Sequence, residues 1–521
     1  MKRLIKMITF LFIFLFTIFT PGSANAQDLE GCTIGVASGK AASDGRPLLW
    51  KTRDTSDQDN EVYFNSSYRY KFVSVITARS TTAWMGVNDK GFAILNAVAD
   101  DLPAGSAGSG NGTIMTYALG NFATVSEFEQ YLINTNITGR TSQSNFGVID
   151  STGAAAIFEV GGNVFWKFDA NDSTIAPNGY VLRTNFAFNG AAKDGINNGI
   201  YSIERFRRTE KLISDFYSGD SVNYRSILRT QMRDFSDFDS QPVSVPFPAK
   251  WQSNQPYGYI YCYVSICRST SVSAVVFQGV LPNREPAKLS TMWTILGQPA
   301  SGIAVPYWPV GKAPKESDGP NTAPLCDIAN QIRTLLFDYP DNSSYLDSYK
   351  LRDGNGGGLW AQTLPAEDSI FAATETRLEQ WRAGTISISE MLATESELAS
   401  YALETLQKAY SGMTTVVAQH DNPILLADFS LDQNYPNPFN AATTIKFYLP
   451  EPCHVTLKIF NSLGQEVETL VSRSYSLGNH QAEWDASDLA SGVYIYSLAA
   501  QPVQELQKPI FIDARKLILT R

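Results

Sequence analysis

Cys32 is the residue whose type and position best suit covalent chemistry. It follows an amino-terminal stretch with the pattern of an export signal, so a cut before it would make Cys32 the first residue of a mature chain. Its thiol, with an ordinary pKa of about 8.5, would be the nucleophile. Its own α-amino group, which titrates at about pH 8, would be the general base. The same thiol could make the cut by attacking the carbonyl of Gly31.

Histidine comes too late in the chain to serve the main body. The 3 histidines are His420, His454 and His480, near or inside the carboxy-terminal tail. A Ser-His-Asp or Cys-His arrangement in the main body is therefore excluded, and the scattered cysteines lack the spacing of zinc ligands. An enzyme made from this body needs another base, which an amino-terminal cysteine provides. We expect no metal and no cofactor.

Two other interpretations of Cys32 stay open. It could be an ordinary buried cysteine. It could also carry a lipid anchor, because Leu29-Glu30-Gly31-Cys32 loosely resembles a lipobox, although glutamate is wrong in that motif and a mostly polar stretch separates Cys32 from the apolar signal core. The N-terminal nucleophile hypothesis accounts for the missing imidazoles, which the two alternatives leave unexplained.

Composition narrows the classes of partner. The formal net charge is -10 at pH 7, and no basic stripe is present to neutralise nucleic-acid phosphates. We therefore expect no nucleic-acid partner. No segment after the signal-like stretch is long and apolar enough to cross a bilayer, so we also expect no membrane-spanning segment. The odd number of cysteines, 5, leaves at least one thiol free in an exported chain. Cys262 and Cys267 could pair, or both could be buried free thiols.

Changes in composition and in hydrophobic pattern divide the chain into segments, one of which must position Cys32. The first segment has a basic start, an apolar core and an Ala24-Asn25-Ala26 cleavage site, which is the pattern of a secretory signal. Hairpin signals alternate with helical stretches up to about residue 308, which predicts α+β layers with antiparallel sheets. Alternating strands after Leu431 predict a small β-sandwich. The predicted segments are a signal peptide (1–26), a propeptide (27–31), a catalytic domain with a helical extension (32–411), a linker (412–429) and a carboxy-terminal domain (430–521).

Motifs near Cys32 resemble those of a known family. Cys32-Thr33 is followed by Gly-Lys-Ala-Ala-Ser-Asp-Gly-Arg (39–46), and the run ends in Arg53-Asp54. Together with Trp-Met-Gly-Val-Asn-Asp-Lys-Gly (84–91), these residues resemble the cysteine N-terminal nucleophile hydrolases, which include choloylglycine hydrolase, penicillin V acylase, isopenicillin N acyltransferase and bacterial dipeptidases. The resemblance implies a four-layer αββα fold and a small-molecule amide substrate. The reaction it implies is hydrolysis of linear amide C–N bonds in non-peptide or small peptide substrates. An acyltransferase or dipeptidase of this fold, or a non-catalytic surface-binding protein, stays open as an alternative.

The resemblance also implies roles for single residues near the start of the domain. Cys32 matches the nucleophile, and Asp54 matches the aspartate that orients the cysteine amine. Lys51 stands where the acylases carry an arginine, and this departure puts the role of that position toward substrate or thiolate in question. The neighbouring Arg53 could compensate.

Three later residues match further parts of the family site. Asn185, in Leu-Arg-Thr-Asn (182–185), matches the oxyanion-hole asparagine, whose preorganised amide stabilises the tetrahedral oxyanion. Asn96 resembles a second oxyanion donor, at a slightly different spacing. Arg205 matches the late active-site arginine, with Arg207 and Arg208 as neighbouring candidates.

The carboxy-terminal segment resembles a second family. The run Gln-Asn-Tyr-Pro-Asn-Pro-Phe-Asn (433–440), the Leu-Gly-Gln turn (463–465) and Ser-Gly-Val-Tyr (491–494) resemble the type A sorting domain of the type IX secretion system. The resemblance implies contact with that secretion machinery, delivery to the cell surface or the medium, and removal of the tail. An appended carbohydrate-binding sandwich is the alternative.

Overall fold

The computed structural model describes residues 31–190, 202–236, 242–248, 257–339, 343–353, 356–384, 386–417, 429–449, 453–475, 478–502 and 511–520. The expected signal peptide, residues 27–30 of the expected propeptide and His420 lie outside these ranges. The described strands ahead of residue 418 are, in chain order, β1 (Gly31–Ala37), β2 (Leu48–Asp54), β3 (Asn60–Asn65), β4 (Phe72–Thr77), β5 (Met85–Asn88), β6 (Ala93–Val98), β7 (Ser144–Ile149), β8 (Ala155–Val160), β9 (Phe165–Asp169), β10 (Tyr180–Arg183), β11 (Tyr259–Tyr261), β12 (Ser271–Gln278), β13 (Thr291–Leu296), β14 (Val305–Tyr307) and β15 (Tyr345–Asp347). The described α-helices are α1 (Asn111–Asn121), α2 (Val125–Thr138), α3 (Ile203–Ser218), α4 (Tyr224–Ser226), α5 (Pro324–Leu336), α6 (Ser348–Leu351), α7 (Leu359–Ala383) and α8 (Ile388–Val417), and short π- and 3₁₀-helices span Ile227–Gln231 and Ala287–Leu289.

Cys32 lies in a six-stranded antiparallel sheet with the order β10-β1-β2-β12-β13-β14. Every residue of β1 and of β2 is buried, because this sheet is covered on both faces. The register of β1 with β2 places Cys32 opposite Arg53 and Gly31 opposite Asp54. The candidate nucleophile therefore sits at the beginning of an inner strand.

A second sheet of seven antiparallel strands, β3 to β9 in chain order, packs face to face on the first. Leu49 of β2 and Leu95 of β6 belong to the core between the two sheets. A Cβ atom on Gly147 of β7 would lie 2.7 Å from the Leu49 Cδ1 atom, so the absence of a side chain there lets the sheets approach.

Helices cover the outer face of each sheet. α1 and α2 pack on the seven-stranded sheet through aromatic residues such as Phe92, Phe128 and Phe158. α3, α5, α7, α8 and the π-helix contact the six-stranded sheet. The predicted α+β fold with four αββα layers is confirmed by this stacking. α8 continues past residue 411, where the sequence predicted the linker to begin, and Thr414 donates a hydrogen bond to the Tyr410 carbonyl within it.

The tail forms a small β-sandwich, as predicted. Cys453, Val455 and Leu457 of one strand are buried, whereas the intervening His454 is exposed and Thr456 is half-buried, which is the alternation that packs one sheet face on another. The sheets have the orders β16-β17-β20 and β19-β18-β21-β22. Their strands are β16 (Ser430–Leu431), β17 (Ala442–Leu449), β18 (Cys453–Asn461), β19 (Glu466–Tyr475), β20 (Gly478–Asp485), β21 (Gly492–Pro502) and β22 (Phe511–Leu519).

Three properties of the described residues bear on function. None of their helices combines the length and the apolar character that a bilayer crossing requires. Within the same residues, His, Cys, Asp and Glu side chains form no group of three or more that could hold a metal ion. All 5 cysteines of the sequence are buried, and Cys262 and Cys267 are not joined by a disulfide.

Candidate active site

The backbone of Cys32 is bound by two side chains on the side that faces β10. β10 ends at Arg183, so the sheet ladder stops before it reaches Cys32. The Cys32 N–H donates to Asn185 Oδ1 at 2.7 Å, and the Cys32 carbonyl oxygen accepts from Arg205 Nη1 at 2.7 Å. The structure therefore brings two of the residues predicted from the sequence into direct contact with the candidate nucleophile.

The amide of Asn185 has one orientation that satisfies its partners. Its Oδ1 accepts from the Cys32 N–H and, at 2.9 Å, from Arg205 Nη2, while its Nδ2 donates to the Val98 carbonyl oxygen at 3.0 Å. Because two partners are donors and one is an acceptor, exchanging the oxygen and nitrogen would break all three bonds. The oxygen of Asn185 therefore faces Cys32, and its NH₂ group faces Val98. The oxyanion role of this NH₂ group stays a prediction.

Arg205 is distinguished from its neighbours by its contacts. Arg205 binds the Cys32 carbonyl oxygen through Nη1 and Asn185 through Nη2. Its Nη1 also donates to Thr33 Oγ1 at 3.0 Å, and the side chain is fully buried. Arg208 instead forms a buried ion pair with Asp234, at 2.6 Å. Arg207, two residues after Arg205, is half-buried. Arg205 is thus the arginine of this helix that touches the candidate nucleophile.

Asp54 lies opposite Gly31, and two residues that sequence reasoning missed hold its carboxylate. Arg268 pairs with Asp54 Oδ2 at 2.8 Å through Nη2, and Ser271 donates to Oδ1 at 2.6 Å. A Cβ atom built on Gly31 would lie 1.9 Å from Arg268 Nη2 and 2.9 Å from Asp54 Oδ2. Arg268 and Asp54 thus leave no room for a side chain at position 31. In the sequence, the only sign of this is that residue 31 is glycine. The structure therefore places the carboxylate against the residue that precedes the candidate nucleophile.

Lys51 and Asn96 bind each other in the space between the sheets. Lys51 Nζ donates to Asn96 Oδ1 at 3.0 Å, and Asn96 Nδ2 donates to Ser144 Oγ at 3.0 Å. The Ser144 hydroxyl donates its own hydrogen to the Ala97 carbonyl oxygen, so it accepts from the Asn96 amide. The NH₂ group of Asn96 is therefore directed to Ser144, and its oxyanion role also stays a prediction.

Arg53 shares the inter-sheet face with Lys51. Its guanidinium donates to Asn60 Oδ1 at 2.6 Å and to Thr77 Oγ1 at 3.3 Å, and lies 5.0 Å from the centre of the Trp84 ring. Lys51 also donates to the Trp84 carbonyl oxygen, at 3.4 Å. The two cationic side chains of β2, Lys51 and Arg53, thus both contact Trp84.

The other thiols of the main body are buried where ionisation is unfavourable. Burial raises the pKa of the Cys267 thiol to about 12 and that of the Cys326 thiol to about 12. Burial also raises the pKa of Cys262 well above its ordinary value. Because the thiolate is the reactive form, burial holds these three cysteines in the less reactive thiol form.

The carboxy-terminal segment matches a known family model. Residues 433–512 match the secretion system C-terminal sorting domain. The tail is a sorting domain. It indicates that the chain is exported and reaches the cell surface or the medium, and that the tail interacts with the type IX secretion machinery, as the sequence predicted.

Solved structures resemble the main body weakly. Penicillin V acylase from Agrobacterium tumefaciens has a TM-score of 0.34 and 13% identity, over 53% of this chain and 85% of that one. A variant of conjugated bile acid hydrolase from Clostridium perfringens has a TM-score of 0.32 and 12% identity, over 51% and 89%. The Caenorhabditis elegans orthologue of N-acylethanolamine-hydrolyzing acid amidase has a TM-score of 0.32 and 15% identity, over 51% and 99%. No curated protein matches the chain. These likenesses assign neither an activity nor residue roles to this chain.

Proposed function

We propose that the chain is an exported hydrolase of linear amides in which Cys32, freed by self-cleavage after Gly31, is the nucleophile. The observation that carries the proposal is the set of polar groups around the Gly31–Cys32 bond. Asn185 and Arg205 bind the backbone of Cys32, and the Asp54–Arg268 pair lies against Gly31. These buried polar groups surround the peptide bond whose cleavage would free the Cys32 amine.

Self-cleavage requires only groups of this chain and water. The Cys32 thiol adds to the Gly31 carbonyl carbon, the C–N bond to Cys32 breaks, and the nitrogen takes up a proton as the thioester forms. Water then hydrolyses the thioester, which leaves a carboxylate on Gly31 and a free thiol and a free amine on Cys32. Departure of Gly31 opens the space in front of Asp54, so that the new amine can turn toward this carboxylate.

Substrate hydrolysis would follow the same bond changes. The free amine accepts the proton of the thiol as sulfur attacks the amide carbonyl, and it returns the proton to the leaving nitrogen. Asp54, held by Arg268 and Ser271, orients the amine. The NH₂ group of Asn185 releases the Val98 carbonyl oxygen and then donates to the oxyanion, which it stabilises. Water resolves the acyl-enzyme in a hydrolase, whereas an acceptor amine would resolve it in an acyltransferase.

The test is the amino terminus of the secreted protein, measured by mass spectrometry together with amide turnover. We expect a chain that begins with free Cys32 and that hydrolyses amides. Cys32→Ala should abolish both self-cleavage and amide hydrolysis. The Cys32→Ser variant should cleave itself slowly. Cys326→Ala, which removes a buried thiol elsewhere, is the matched control and should process normally.

Other outcomes point to other functions. A mature chain that begins at Gln27 and lacks amidase activity supports a binding protein, and a diacylated Cys32 supports a lipoprotein. Turnover by a protein that retains residues ahead of position 32 would falsify the mechanism.

A further inference from the structure

The backbone on both sides of Asn185 is held by the side chain of one other residue. Residues 184–190, all of them described, form neither a strand nor a helix. The amide of Asn145 donates from Nδ2 to the Thr184 carbonyl oxygen at 3.0 Å and to the Phe186 carbonyl oxygen at 2.9 Å. One NH₂ group therefore binds the residues directly before and directly after Asn185.

The orientation and the polarity of Asn145 follow from these two bonds. Both partners are carbonyl oxygens, so the NH₂ group of the amide must face them. Asn145 is fully buried, and its Oδ1 has no hydrogen-bond partner among the described residues. A buried acceptor without a donor is unfavourable, and a leucine of similar volume would fill the position without one. The two bonds that Asn145 donates, and not its packing, therefore account for a polar side chain here.

A second side chain of the same sheet holds the next part of the segment. Glu159 is directly opposite Asn145 in the pairing of β7 with β8, so both side chains project on one face. The Glu159 carboxylate accepts from the Phe188 N–H at 2.7 Å and from the Asn189 N–H at 2.9 Å. Arg183 pairs with Glu159 at 2.7 Å, and both side chains are buried. The segment that follows β10 is thus attached to the seven-stranded sheet by two neighbouring side chains.

The amide of Asn185 joins the two sheets at the candidate active site. Its Oδ1 accepts from the Cys32 N–H on the six-stranded sheet, and its Nδ2 donates to the Val98 carbonyl oxygen on the seven-stranded sheet. Val98 is opposite Ser144, the residue before Asn145. The same region of the seven-stranded sheet therefore binds both the amide of Asn185 and the backbone that carries it.

We propose that Asn145 is a positioning residue for Asn185, because its two hydrogen bonds fix the backbone that sets the distance from the Asn185 amide to Cys32. The inference rests on the proposed function and deepens it, since Asn185 is proposed there to bind the oxyanion. A donor stabilises an oxyanion fully only when it is held within about 0.5 Å of its productive position. In this scheme Asn145 acts only through the backbone next to Asn185.

The first experiment measures kcat and KM for the best substrate from a panel of N-acyl amino acids and dipeptides. Chains that are made with a single methionine before Cys32, which methionine aminopeptidase removes, begin at Cys32 without self-cleavage, so processing does not limit the measurement. Asn145→Leu should lower kcat by roughly 10- to 100-fold, less than the loss of a whole oxyanion donor, with little change in KM. Asn145→Ser keeps one donor and should lose less. A normal kcat in Asn145→Leu overturns the proposal.

A double substitution tests the route by which Asn145 acts. Asn185→Ala removes the group that Asn145 is proposed to position. When Asn185→Ala is already present, adding Asn145→Leu should therefore lower kcat by no more than about twofold. A loss as large as in the wild-type background overturns the proposal, because Asn145 would then act by another route.

Asn88 provides the matched control. It is also a fully buried asparagine of the seven-stranded sheet, and its Nδ2 donates to the carbonyl oxygens of Leu119 at 2.8 Å and Phe122 at 2.7 Å. Those carbonyls lie at the end of α1, in the helical layer. Asn88→Leu should therefore lower the thermal stability as Asn145→Leu does, and should leave kcat close to the wild-type value. An equal loss of kcat in both variants would reflect general destabilisation and would overturn the proposal.

Hydrogen exchange separates failure of this inference from failure of the proposed function, which fails if the protein hydrolyses no amide. In the secreted chain with Cys32→Ala, which does not cut itself, the N–H of residue 32 still faces Asn185, and its exchange rate reports that contact. Adding Asn145→Leu should raise this rate by about tenfold or more, and adding Asn88→Leu should not. Mass spectrometry of peptides that cover residues 31–37 gives the rate. An unchanged rate with Asn145→Leu overturns the proposal whether or not the protein is an amidase.

Discussion

Arg205 and Cys32 are joined by a hydrogen bond of 2.7 Å from the guanidinium Nη1 to the Cys32 carbonyl oxygen. The same guanidinium binds the oxygen of Asn185 at 2.9 Å, and that oxygen accepts the Cys32 N–H. One side of the candidate nucleophile is therefore fixed by side chains, where a neighbouring strand would otherwise provide backbone groups. Side chains can be substituted singly, which makes this contact open to direct tests.

Arg205→Gln is expected to change the pH dependence of turnover. In the processed protein, the amine of Cys32 would lie near the Arg205 guanidinium, and a nearby cation disfavours the ammonium form. Loss of that cation makes the amine hold its proton to higher pH, so the acidic limb of the kcat/KM profile should move up by roughly 0.5–1 pH unit. The measurement is the pH profile with one amide substrate.

Two further variants make this test specific. Arg205→Lys keeps the charge and should restore the position of the acidic limb, while losing part of the rate because the ammonium lacks the guanidinium fork. Arg207→Gln, on the same helix, should leave the profile unchanged. An unshifted limb in Arg205→Gln would show that Arg205 acts on the backbone alone.

Gly31→Ala is expected to slow self-cleavage. The new Cβ atom would lie 1.9 Å from Arg268 Nη2, so the guanidinium must move away from Asp54 to make room. Separation would leave the buried Asp54 carboxylate and the buried Arg268 guanidinium without their ion-pair partner, which is unfavourable in free energy. We expect the uncut chain to accumulate over time in mass spectra of the secreted protein.

Gly412→Ala is the control for this substitution. It adds the same methyl group at an exposed helical position with no atom within 4 Å of the new Cβ. Wild-type rates of cleavage in Gly31→Ala would show that the Asp54–Arg268 pair is not the group that Gly31 accommodates.

Ser271→Ala is expected to lower kcat with little change in KM. The Ser271 hydroxyl donates to Asp54 Oδ1 at 2.6 Å, and its removal leaves a buried carboxylate oxygen without this donor. Because Asp54 is proposed to orient the amine and does not contact substrate, we expect a loss of roughly tenfold in kcat. Ser271→Thr retains a hydroxyl and should recover activity. Ser369→Ala, on an exposed face of α7, should behave as wild type, and a pure KM effect in Ser271→Ala would contradict the positioning role.

Glu395→Gln is expected to stabilise the protein at alkaline pH and not at acidic pH. Burial raises the pKa of Glu395 from 4.5 to about 8, against the opposing effect of the Trp308 N–H that its carboxyl accepts. Below pH 4.5 the carboxyl is protonated in both the folded and unfolded states, so it has no effect on the pH dependence. As the pH rises from there to about 8, the unfolded state ionises and the folded state does not, so stability falls.

Thermal unfolding at pH 4.5 and pH 8.5 measures this effect. The gain in the free energy of unfolding at the higher pH should be of the order of 2–5 kcal/mol, since each unit of pKa shift corresponds to about 1.4 kcal/mol. Glu397→Gln, exposed on the same helix, is the control and should show no comparable pH-dependent gain. Equal stabilisation at both pH values would mean that the pKa of Glu395 is the same in the folded and unfolded states.

Some features of this protein could be predicted from the types and the order of residues within short stretches of the sequence. The position of Cys32 behind a signal-like stretch and the absence of histidine ahead of His420 follow from residue type and order alone. The sorting domain was also predictable, because its turn residues and alternating strands are encoded within short windows. The four layers followed from a resemblance to a family, and the structure confirmed them.

Contacts between distant residues were decided by the tertiary structure alone. Arg268 reaches Asp54 across 214 positions of the chain, and no local pattern marks either Arg268 or Ser271 as a partner. The choice among three neighbouring arginines depended on which one the helix α3 turns toward Cys32. The directions of the Asn185 and Asn96 amides depended on donors and acceptors from other strands. Residue type determined what chemistry each side chain can do, and packing determined which groups are close enough to do it together.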